Sequence, residues 1–357
     1  MNSRMRTRAL SGVALIGVAG ILLSGCAAAP EEGSTDASGT DFLGCAVSDE
    51  GSWNDNSFNQ AAYQGLTEAE SGLGIEINDA ESNSTEDFQP NLDAMVAAAC
   101  DVTFAVGFNL IDAVNSTAAA NPDLNFVTID GYVADESTTN LKPITYSMAQ
   151  SSYLAGYLAA AYSTSKVVGT YGGLDIPAVT EFMDGYYYGA KAYETETGTP
   201  VTVLGRDPIG QTGDFTDPDL SFGDTEGAKS ISAGQLAQGA DVIFPVAGGL
   251  FSATAEAIGE SGTDAVFIGV DRDIAVTNPE YADMVLTSVE KRMTQAVYDV
   301  IDSTMTDGFS AEPYVGTLEN DGTALSDFGD FEVSSEITGK LDELKAGIID
   351  GSIDPLS

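Results

Sequence analysis

Hydrophobic and polar positions after residue 40 fall into two patterns that alternate along the chain. Short runs of apolar and β-branched residues, bounded by glycine, aspartate or asparagine, predict β-strands. The predicted strands are Asp41–Val47, Gly74–Asn78, Val102–Val106, Asn125–Ile129, Lys166–Tyr171, Val201–Leu204, Asp241–Val246, Ala265–Val270 and Met284–Val289.

Between these runs, apolar residues recur at every third or fourth position, as they do on one face of an α-helix. In the first such stretch, Phe58, Leu66 and Ala69 share a face, and Asn56 or Ser57 is placed to cap its start. The other predicted helices are Ser151–Tyr162, Val179–Glu196, Thr225–Gln238, Leu250–Gly259 and Arg292–Met305. Because strands and helices alternate, the sequence predicts an α/β fold of parallel sheets covered by helices.

The first thirty residues have a different pattern, in which a basic start is followed by an apolar segment that ends at Cys26. The apolar run 9–23 is short for a membrane-spanning helix, which needs about 20 residues. Leu22-Leu23-Ser24-Gly25-Cys26 resembles the lipobox of bacterial lipoproteins, so residues 1–25 are predicted to be a signal peptide and Cys26 to carry lipid. A plain secretory signal is the alternative.

Residues 26–40 are predicted to be a flexible tether. The protein is predicted to lie on the extracytoplasmic face of the cell membrane.

Charge and composition disfavour several classes of ligand and exclude several classes of catalytic site. All 55 acidic residues follow the signal and three of the 13 basic residues lie within it, so the mature chain has 10 basic residues and a net charge of −45. This charge disfavours nucleic acid and phosphate-rich ligands. The chain has no histidine, which excludes Ser-His-Asp and Cys-His catalysis and histidine-bound zinc. It also lacks G-x-S-x-G, G-x-G-x-x-G and P-loop motifs, and no metal or cofactor is expected.

Two cysteines, Cys45 and Cys100, remain after Cys26 is assigned to lipid. An even pair in an oxidising compartment favours a disulfide, and each lies at or next to a predicted strand. Two buried free thiols are the alternative.

Polar and aromatic residues are concentrated in the loops that follow the predicted strands, where ligands bind in open parallel sheets. Asp49, Asp130 and Asp271 can only accept hydrogen bonds, so together they would select a ligand rich in donors. Phe58 could stack on a flat ring. A neutral, hydroxylated, aromatic molecule such as a nucleoside meets these conditions. Each residue taken singly is also explained as a helix cap or turn former.

An ordered set of motifs resembles the basic membrane protein family of ABC-transporter substrate-binding lipoproteins, whose best understood members bind purine nucleosides. The motifs are Val47-Ser48-Asp49, Asp55-Asn56-Ser57-Phe58-Asn59-Gln60, Ser152-Tyr153-Leu154-Ala155-Gly156, Gly172-Gly173-Leu174-Asp175, Gly239-Ala240-Asp241-Val242, Gly269-Val270-Asp271 and Thr287-Ser288-Val289-Glu290-Lys291.

The resemblance implies a type I periplasmic-binding fold, with two parallel-sheet lobes joined by a three-strand hinge that close on a solute. It places the N-terminal lobe at residues 41–148 with 272–311 and the C-terminal lobe at 149–271 with 312–357. The implied partners are a nucleoside, with a purine base favoured, and the permease and ATPase subunits of an ABC importer.

The resemblance also implies roles for individual residues in the cleft between the lobes. Phe58 would stack on the base, Asp271 would hold the ribose hydroxyls and Lys291 would approach the sugar or a carboxylate. A second stacking aromatic is expected from Phe182, Phe251, Phe108 or Trp53, with Phe251 favoured because it is close to Gly248. The implied ligand-binding set is Asp49, Asn54, Phe58, Asn59, Asp130, Phe182, Gly248, Phe251, Asp271 and Lys291.

Two other functions remain open at this point. A receptor for a sugar or another small hydroxylated solute would use similar carboxylates and aromatic faces. A secreted carboxylate-dependent nucleoside hydrolase is the enzyme alternative, although no motif in the chain supports it.

Overall fold

The computed structural model describes residues 41–357. The predicted signal peptide, tether and Cys26 lie outside this range. The strands are β1 (Leu43–Ser48), β2 (Glu76–Ala80), β3 (Val102–Val106), β4 (Asn125–Ile129), β5 (Leu141–Tyr146), β6 (Val167–Gly172), β7 (Thr202–Leu204), β8 (Arg206–Asp207), β9 (Thr212–Gly213), β10 (Val242–Val246), β11 (Val266–Asp271), β12 (Val285–Lys291), β13 (Tyr314–Gly316) and β14 (Thr323–Leu325).

The helices confirm the alternating pattern. They are α1 (Phe58–Leu73), α2 (Phe88–Ala98), α3 (Ile111–Ala120), α4 (Met148–Tyr162), α5 (Pro177–Thr197), α6 (Thr225–Ala237), α7 (Phe251–Ser261), α8 (Ile274–Thr277), α9 (Met293–Asp307) and α10 (Ser335–Ile349). Every predicted strand and helix is present. Elements that the sequence patterns missed include β5, α2, α3 and α10.

The strands form two six-stranded sheets in the described residues, with a small hairpin of β8 and β9. The first sheet has the order β13-β5-β4-β3-β1-β2, and all its neighbours are parallel. The second has the order β14-β12-β11-β10-β6-β7, and only β14 is antiparallel to its neighbour. Strands such as β3 and β10 are buried along their whole length, because helices cover both faces of a parallel sheet.

Within residues 41–357 the chain passes between the sheets three times, from β5 to β6, from β12 to β13 and from β13 to β14. These positions differ from the predicted lobe boundaries. β12 belongs to the second sheet although it falls within 272–311, and β13 belongs to the first sheet although it falls within 312–357. The reason is that β12 extends the parallel sheet beside β11, and the crossing follows it. α9 then packs against α1, where the Thr294 hydroxyl donates to the Ala61 carbonyl at 2.7 Å.

None of the helices described for residues 41–357 is both long enough and apolar enough to cross a membrane.

A disulfide joins Cys45 in β1 to Cys100, which lies two residues before β3, with the Cα atoms 6.0 Å apart. β1 and β3 are neighbours in the centre of the first sheet, and both cysteines are buried. The crosslink closes a loop with a sequence separation of 55 residues. It therefore restricts the conformations of the unfolded chain across the segment that contains α1, β2 and α2.

The double variant Cys45→Ala/Cys100→Ala is expected to lower the free energy of unfolding by about 2 to 4 kcal/mol, because the unfolded chain regains loop entropy. Urea denaturation of the oxidised proteins, followed by circular dichroism, measures the difference. Reductant should shift the wild-type midpoint and leave that of the double variant unchanged. Equal stability of the oxidised wild type and the variant would contradict a stabilising crosslink.

Candidate functional site

A cavity of about 1220 Å³ lies between loops at the carboxyl ends of both sheets. Loops after β1, β2, β3 and β4 contribute from the first sheet. The second sheet contributes the ends of β11 and β12 and loops after β6 and β10, and the segment after the β8–β9 hairpin also lines the cavity. Eight residues of the predicted ligand-binding set line it: Asp49, Phe58, Asn59, Asp130, Phe182, Gly248, Asp271 and Lys291. Parallel strands bring these residues together because their carboxyl ends share one edge of each sheet.

Asp49 directly follows β1 and is held in a dry, well-bonded position. Its Oδ1 accepts from the Gly51 backbone N–H at 2.9 Å and from Asn59 Nδ2 at 2.8 Å. Gly107 has a φ of 115°, and a Cβ there would lie 2.4 Å from Asp49 Oδ2, so only glycine leaves room for this carboxylate. Burial raises the pKa of Asp49 to about 7, against the two hydrogen bonds, which lower it.

Asp130 and Asp271 have left-handed backbone conformations, with φ values of 61° and 67°. Asp130 follows β4 and Asp271 ends β11, so each lies at the carboxyl end of a buried strand. This conformation is uncommon for residues other than glycine, and such strain is often found at functional sites. The backbone turn places both side chains in the lining of the cavity.

Asp271 connects the two sheets through a hydrogen bond. The hydroxyl of Ser57, which precedes α1 on the first-sheet side, donates to Asp271 Oδ2 at 2.5 Å. The Asp271 side chain is buried, and burial raises its pKa to about 6, while the nearby Lys291 ammonium and the Ser57 hydrogen bond lower it.

Lys291, at the end of β12, forms an ion pair with Asp130 across the cavity. The side chains of the pair are only 3% and 9% exposed. The Lys291 ammonium also lies 5.1 Å from the ring centroid of Phe58, 5.4 Å from that of Phe182 and 5.5 Å from that of Tyr146. Aromatic faces attract a cation at this range, so the ammonium is held by one carboxylate and three rings.

The aromatic lining differs from the prediction. Phe251 does not line the cavity; it is 1% exposed and its ring stacks on Phe267 in the core of the second sheet, with centroids 6.0 Å apart. As the first residue of α7, Phe251 has its side chain against the sheet. Phe222, which the sequence reasoning missed, lines the cavity together with Phe108. It lies in a short 3₁₀ segment, Ser221–Gly223, which has no periodic pattern.

Asn54 and Trp53 are also placed differently from the prediction. Asn54 is exposed and does not line the cavity, and its backbone N–H donates to Ser52 Oγ at 3.1 Å. Trp53 is 5% exposed and also lies outside the lining, where it stacks on Tyr63. The β1–α1 loop turns at these residues, so one side chain points to solvent and the other packs under the loop.

Asp55 is a cavity residue that the sequence reasoning did not select. Its carboxylate accepts the backbone N–H groups of Ser57, Asn59 and Gln60 at 2.8, 2.8 and 3.0 Å. Asp55 therefore caps α1, whereas Ser57 occupies the cap position without a side-chain cap bond. In the sequence, the signal for this capping role was an acidic residue two positions before Ser57. The cap fixes the start of the helix that bears Phe58.

The cavity is rich in acceptors and poor in positive charge. Its lining contains one lysine and seven carboxylates: Asp49, Glu50, Asp55, Asp130, Asp175, Asp219 and Asp271. In the described part of the chain, no cluster of three or more cysteine, aspartate and glutamate side chains could hold a metal ion. The arrangement therefore suits hydrogen-bond donors on a neutral ligand and repels phosphate.

Two mainly parallel sheets, three connections and a cleft between their carboxyl ends define the type I periplasmic solute-binding class. A solved solute-binding protein of an ABC transporter system from Aeropyrum pernix K1 has this fold. It matches with a TM-score of 0.75 and 23% sequence identity, over 88% of this chain and 92% of its own.

The family model described as "ABC transporter substrate-binding protein PnrA-like" (Bmp) matches residues 42–317, and the chain belongs to this family. It is thus a substrate-binding protein of an ABC transporter. The ABC transporter nucleoside-binding protein BmpA of Lactococcus lactis subsp. cremoris is 30% identical over 98% of both chains. An uncharacterized lipoprotein of Pyrococcus abyssi is 30% identical over 90% of this chain and 78% of its own.

Asp49→Asn is expected to raise the free energy of unfolding relative to wild type by more at pH 8 than at pH 4.5. The two differences between variant and wild type are expected to be about 2 to 4 kcal/mol apart. The pKa of Asp49 is about 7 in the folded state, above its ordinary value. The folded wild type therefore binds the proton more readily than the unfolded chain, and its stability falls as pH rises through this range. The neutral amide does not titrate.

Urea unfolding of both proteins at the two pH values gives this difference, and Asp135→Asn, on an exposed turn outside the cavity, serves as the control. A difference between wild type and Asp49→Asn that stays constant with pH would contradict the raised pKa.

Proposed function

We propose that this protein captures a nucleoside, with a purine base favoured, in the cleft between its sheets and delivers it to the permease of an ABC importer. The observation that supports this most directly is the convergence of carboxylates and aromatic faces from both sheets on one cavity. The name of the Lactococcus lactis relative, a nucleoside-binding protein, agrees with the proposal.

The ribose would bind at the Asp271 end of the cleft. Vicinal hydroxyls are donors, and a buried carboxylate that already accepts from Ser57 has further lone pairs for them. Lys291 can donate to a ring or hydroxyl oxygen while it remains paired with Asp130. In a cleft with little water, these charge-assisted hydrogen bonds are stronger than they would be at an exposed surface.

The base would stack on Phe58 and, on its other face, on Phe222. Both rings are partly buried and line the cavity, so each has a face available to a ligand. Phe182 also lines the cavity but is only 2% exposed, with its ring against Lys291 and 6.4 Å from Phe244. We therefore assign Phe182 to the wall and Phe222 to the second stacking position.

The edge of the base would be recognised by Asp49 and Asn59. Asn59 Nδ2 donates to Asp49, while the buried Asn59 Oδ1 has no hydrogen-bond partner among residues 41–357. This oxygen and the second Asp49 oxygen are acceptors for the N–H groups of a purine. An unsatisfied buried acceptor is costly, and a ligand donor would remove that cost.

Calorimetry with inosine, adenosine and guanosine is expected to show binding in the micromolar range or tighter. Asp271→Asn should weaken it by about 100-fold, because the charged acceptor for the ribose hydroxyls is lost. Asp273→Asn is the matched control and should bind normally. The Asp273 carboxylate lies outside the cavity lining and accepts from the Val276 backbone N–H at the start of α8.

Other results would contradict the assignment in distinct ways. Binding of free ribose as tight as that of the nucleosides would indicate a sugar receptor. Absence of binding to all three nucleosides, in a protein that retains another small solute when purified, would reject a nucleoside ligand. Release of free base and ribose during prolonged incubation would indicate a hydrolase.

The proposal includes a lipid anchor at Cys26, whose acyl chains would keep the receptor at the extracytoplasmic face near its transporter. Cys26→Ala is expected to move the protein from the membrane fraction to the soluble fraction and to remove the lipid mass from its N-terminus. Fractionation and intact-mass measurement test this, with the disulfide variant Cys45→Ala/Cys100→Ala, which keeps Cys26, as the control for loss of cysteine. Unchanged membrane association of Cys26→Ala would contradict the anchor.

A further inference from the structure

The loop between β1 and α1, residues 49–57, is fastened at its outer side by Trp53, the single tryptophan of the chain. Its backbone N–H donates to Glu81 Oε1 at 2.6 Å, and its indole N–H donates to Asp79 Oδ2 at 2.8 Å. Asp79 lies on β2 and Glu81 follows that strand. Two hydrogen bonds to carboxylates thus connect the middle of the loop to the edge of the first sheet.

The indole is also packed against a second aromatic ring. It stacks on Tyr63 of α1 with centroids 5.0 Å apart and planes inclined by 18°. The Tyr63 hydroxyl is 3.4 Å from Asp79 Oδ1, so one carboxylate accepts from both rings. Trp53 is 5% exposed and lies outside the cavity lining, so it does not contact a ligand there.

The same loop contains cavity residues on both sides of Trp53, and a serine that bonds to a cavity residue of the second sheet. Asp49 comes four positions earlier, Asp55 two positions later and Ser57 four positions later. Ser57 makes the hydrogen bond to Asp271 across the cleft, and Asp55 caps α1 at Phe58. A shift of the loop would therefore move the base-edge acceptor, the stacking ring and a contact between the sheets at the same time.

The β1–α1 loop also packs against the second sheet. A Cβ on Gly249 would lie 2.2 Å from the Asp55 carbonyl oxygen, so the loop rests directly on the backbone after β10. Beyond β11 of the second sheet, Arg272 Nη2 donates to Gln64 Oε1 at 2.9 Å and makes a further connection to α1. These contacts tolerate little displacement of the loop.

We propose that Trp53 is a positioning residue for ligand binding, which sets the affinity of the cleft by holding the β1–α1 loop to β2; this inference rests on the proposed function. Trp53 acts through Asp49, Asp55 and Ser57, without touching the ligand.

Trp53→Phe tests the inference because it keeps an aromatic ring next to Tyr63 and the backbone hydrogen bond to Glu81, and loses the indole N–H together with part of the ring volume. Inosine affinity, measured by calorimetry, is expected to fall about tenfold, the effect of one hydrogen bond to a charged group. Amide hydrogen exchange of residues 50–57 in the ligand-free protein is expected to quicken by a similar factor.

Tyr157→Phe is the matched control. The Tyr157 hydroxyl donates to Glu196 Oε2 at 3.0 Å, from an aromatic residue that is also 5% exposed but lies away from the cleft. Its loss removes the same kind of hydrogen bond and should also lower the unfolding midpoint. Inosine affinity should stay within about twofold of wild type, and exchange in residues 50–57 should be unchanged.

Asp79→Asn provides a second variant that retains Trp53 as a fluorescent reporter. The weaker acceptor should release the indole, shift its emission to the red and reduce inosine affinity in the same direction as Trp53→Phe. Since Trp53 is the single tryptophan, the whole shift arises from this site.

Lower stability of Trp53→Phe with unchanged inosine affinity and unchanged loop exchange would overturn the inference and leave Trp53 a purely structural residue. If the wild type binds no nucleoside, the proposed function fails, and the exchange of residues 50–57 still decides whether Trp53 holds the loop. Faster exchange supports that part, and equal exchange rejects it.

Discussion

The buried ion pair between Lys291 and Asp130 is the interaction on which the cleft depends. A lysine that is almost fully enclosed would be strongly destabilising without a partner, so the end of β12 and the end of β4 must face each other. The three rings around the ammonium then have fixed positions too, and Phe58 among them is the proposed stacking surface. One charge at the end of β12 in the second sheet is therefore paired with a carboxylate at the end of β4 in the first.

Several carboxylates of the cleft are held in arrangements that are costly for the ligand-free protein and that a ligand could relieve. Asp49 and Asp271 are carboxylates kept out of water, and burial raises the pKa of both. Asp130 and Asp271 also occupy a left-handed backbone region. Local rules of stability are commonly broken at functional sites, where a ligand supplies the missing partners. A neutral ligand rich in donors would satisfy these oxygens without adding charge to an acidic cleft.

The β1–α1 loop connects the cleft to β2 at the edge of the first sheet. Its inner residues face the cavity, while its outer residue Trp53 is bonded to β2 and stacked on α1. Loops that bear binding residues are usually positioned by a rigid scaffold, and here the scaffold is an aromatic pair with a shared carboxylate. The same carboxylate-rich composition that gives the protein its acidic surface thus also supplies the acceptors that fix this loop.

The sequence by itself determined the alternation of strands and helices, because burial on both faces of a parallel sheet requires continuous apolar runs that local patterns reveal. It also indicated Asp49, Asp130 and Asp271, since residues at the carboxyl ends of such strands share one edge. Only the tertiary structure decided that Phe251 packs in the core, that Phe222 lines the cavity, that Trp53 lies beneath its loop and that β12 joins the second sheet. Periodicity specifies which face of an element is buried, whereas the neighbour it packs against depends on chain crossings between distant segments, which leave no local signal.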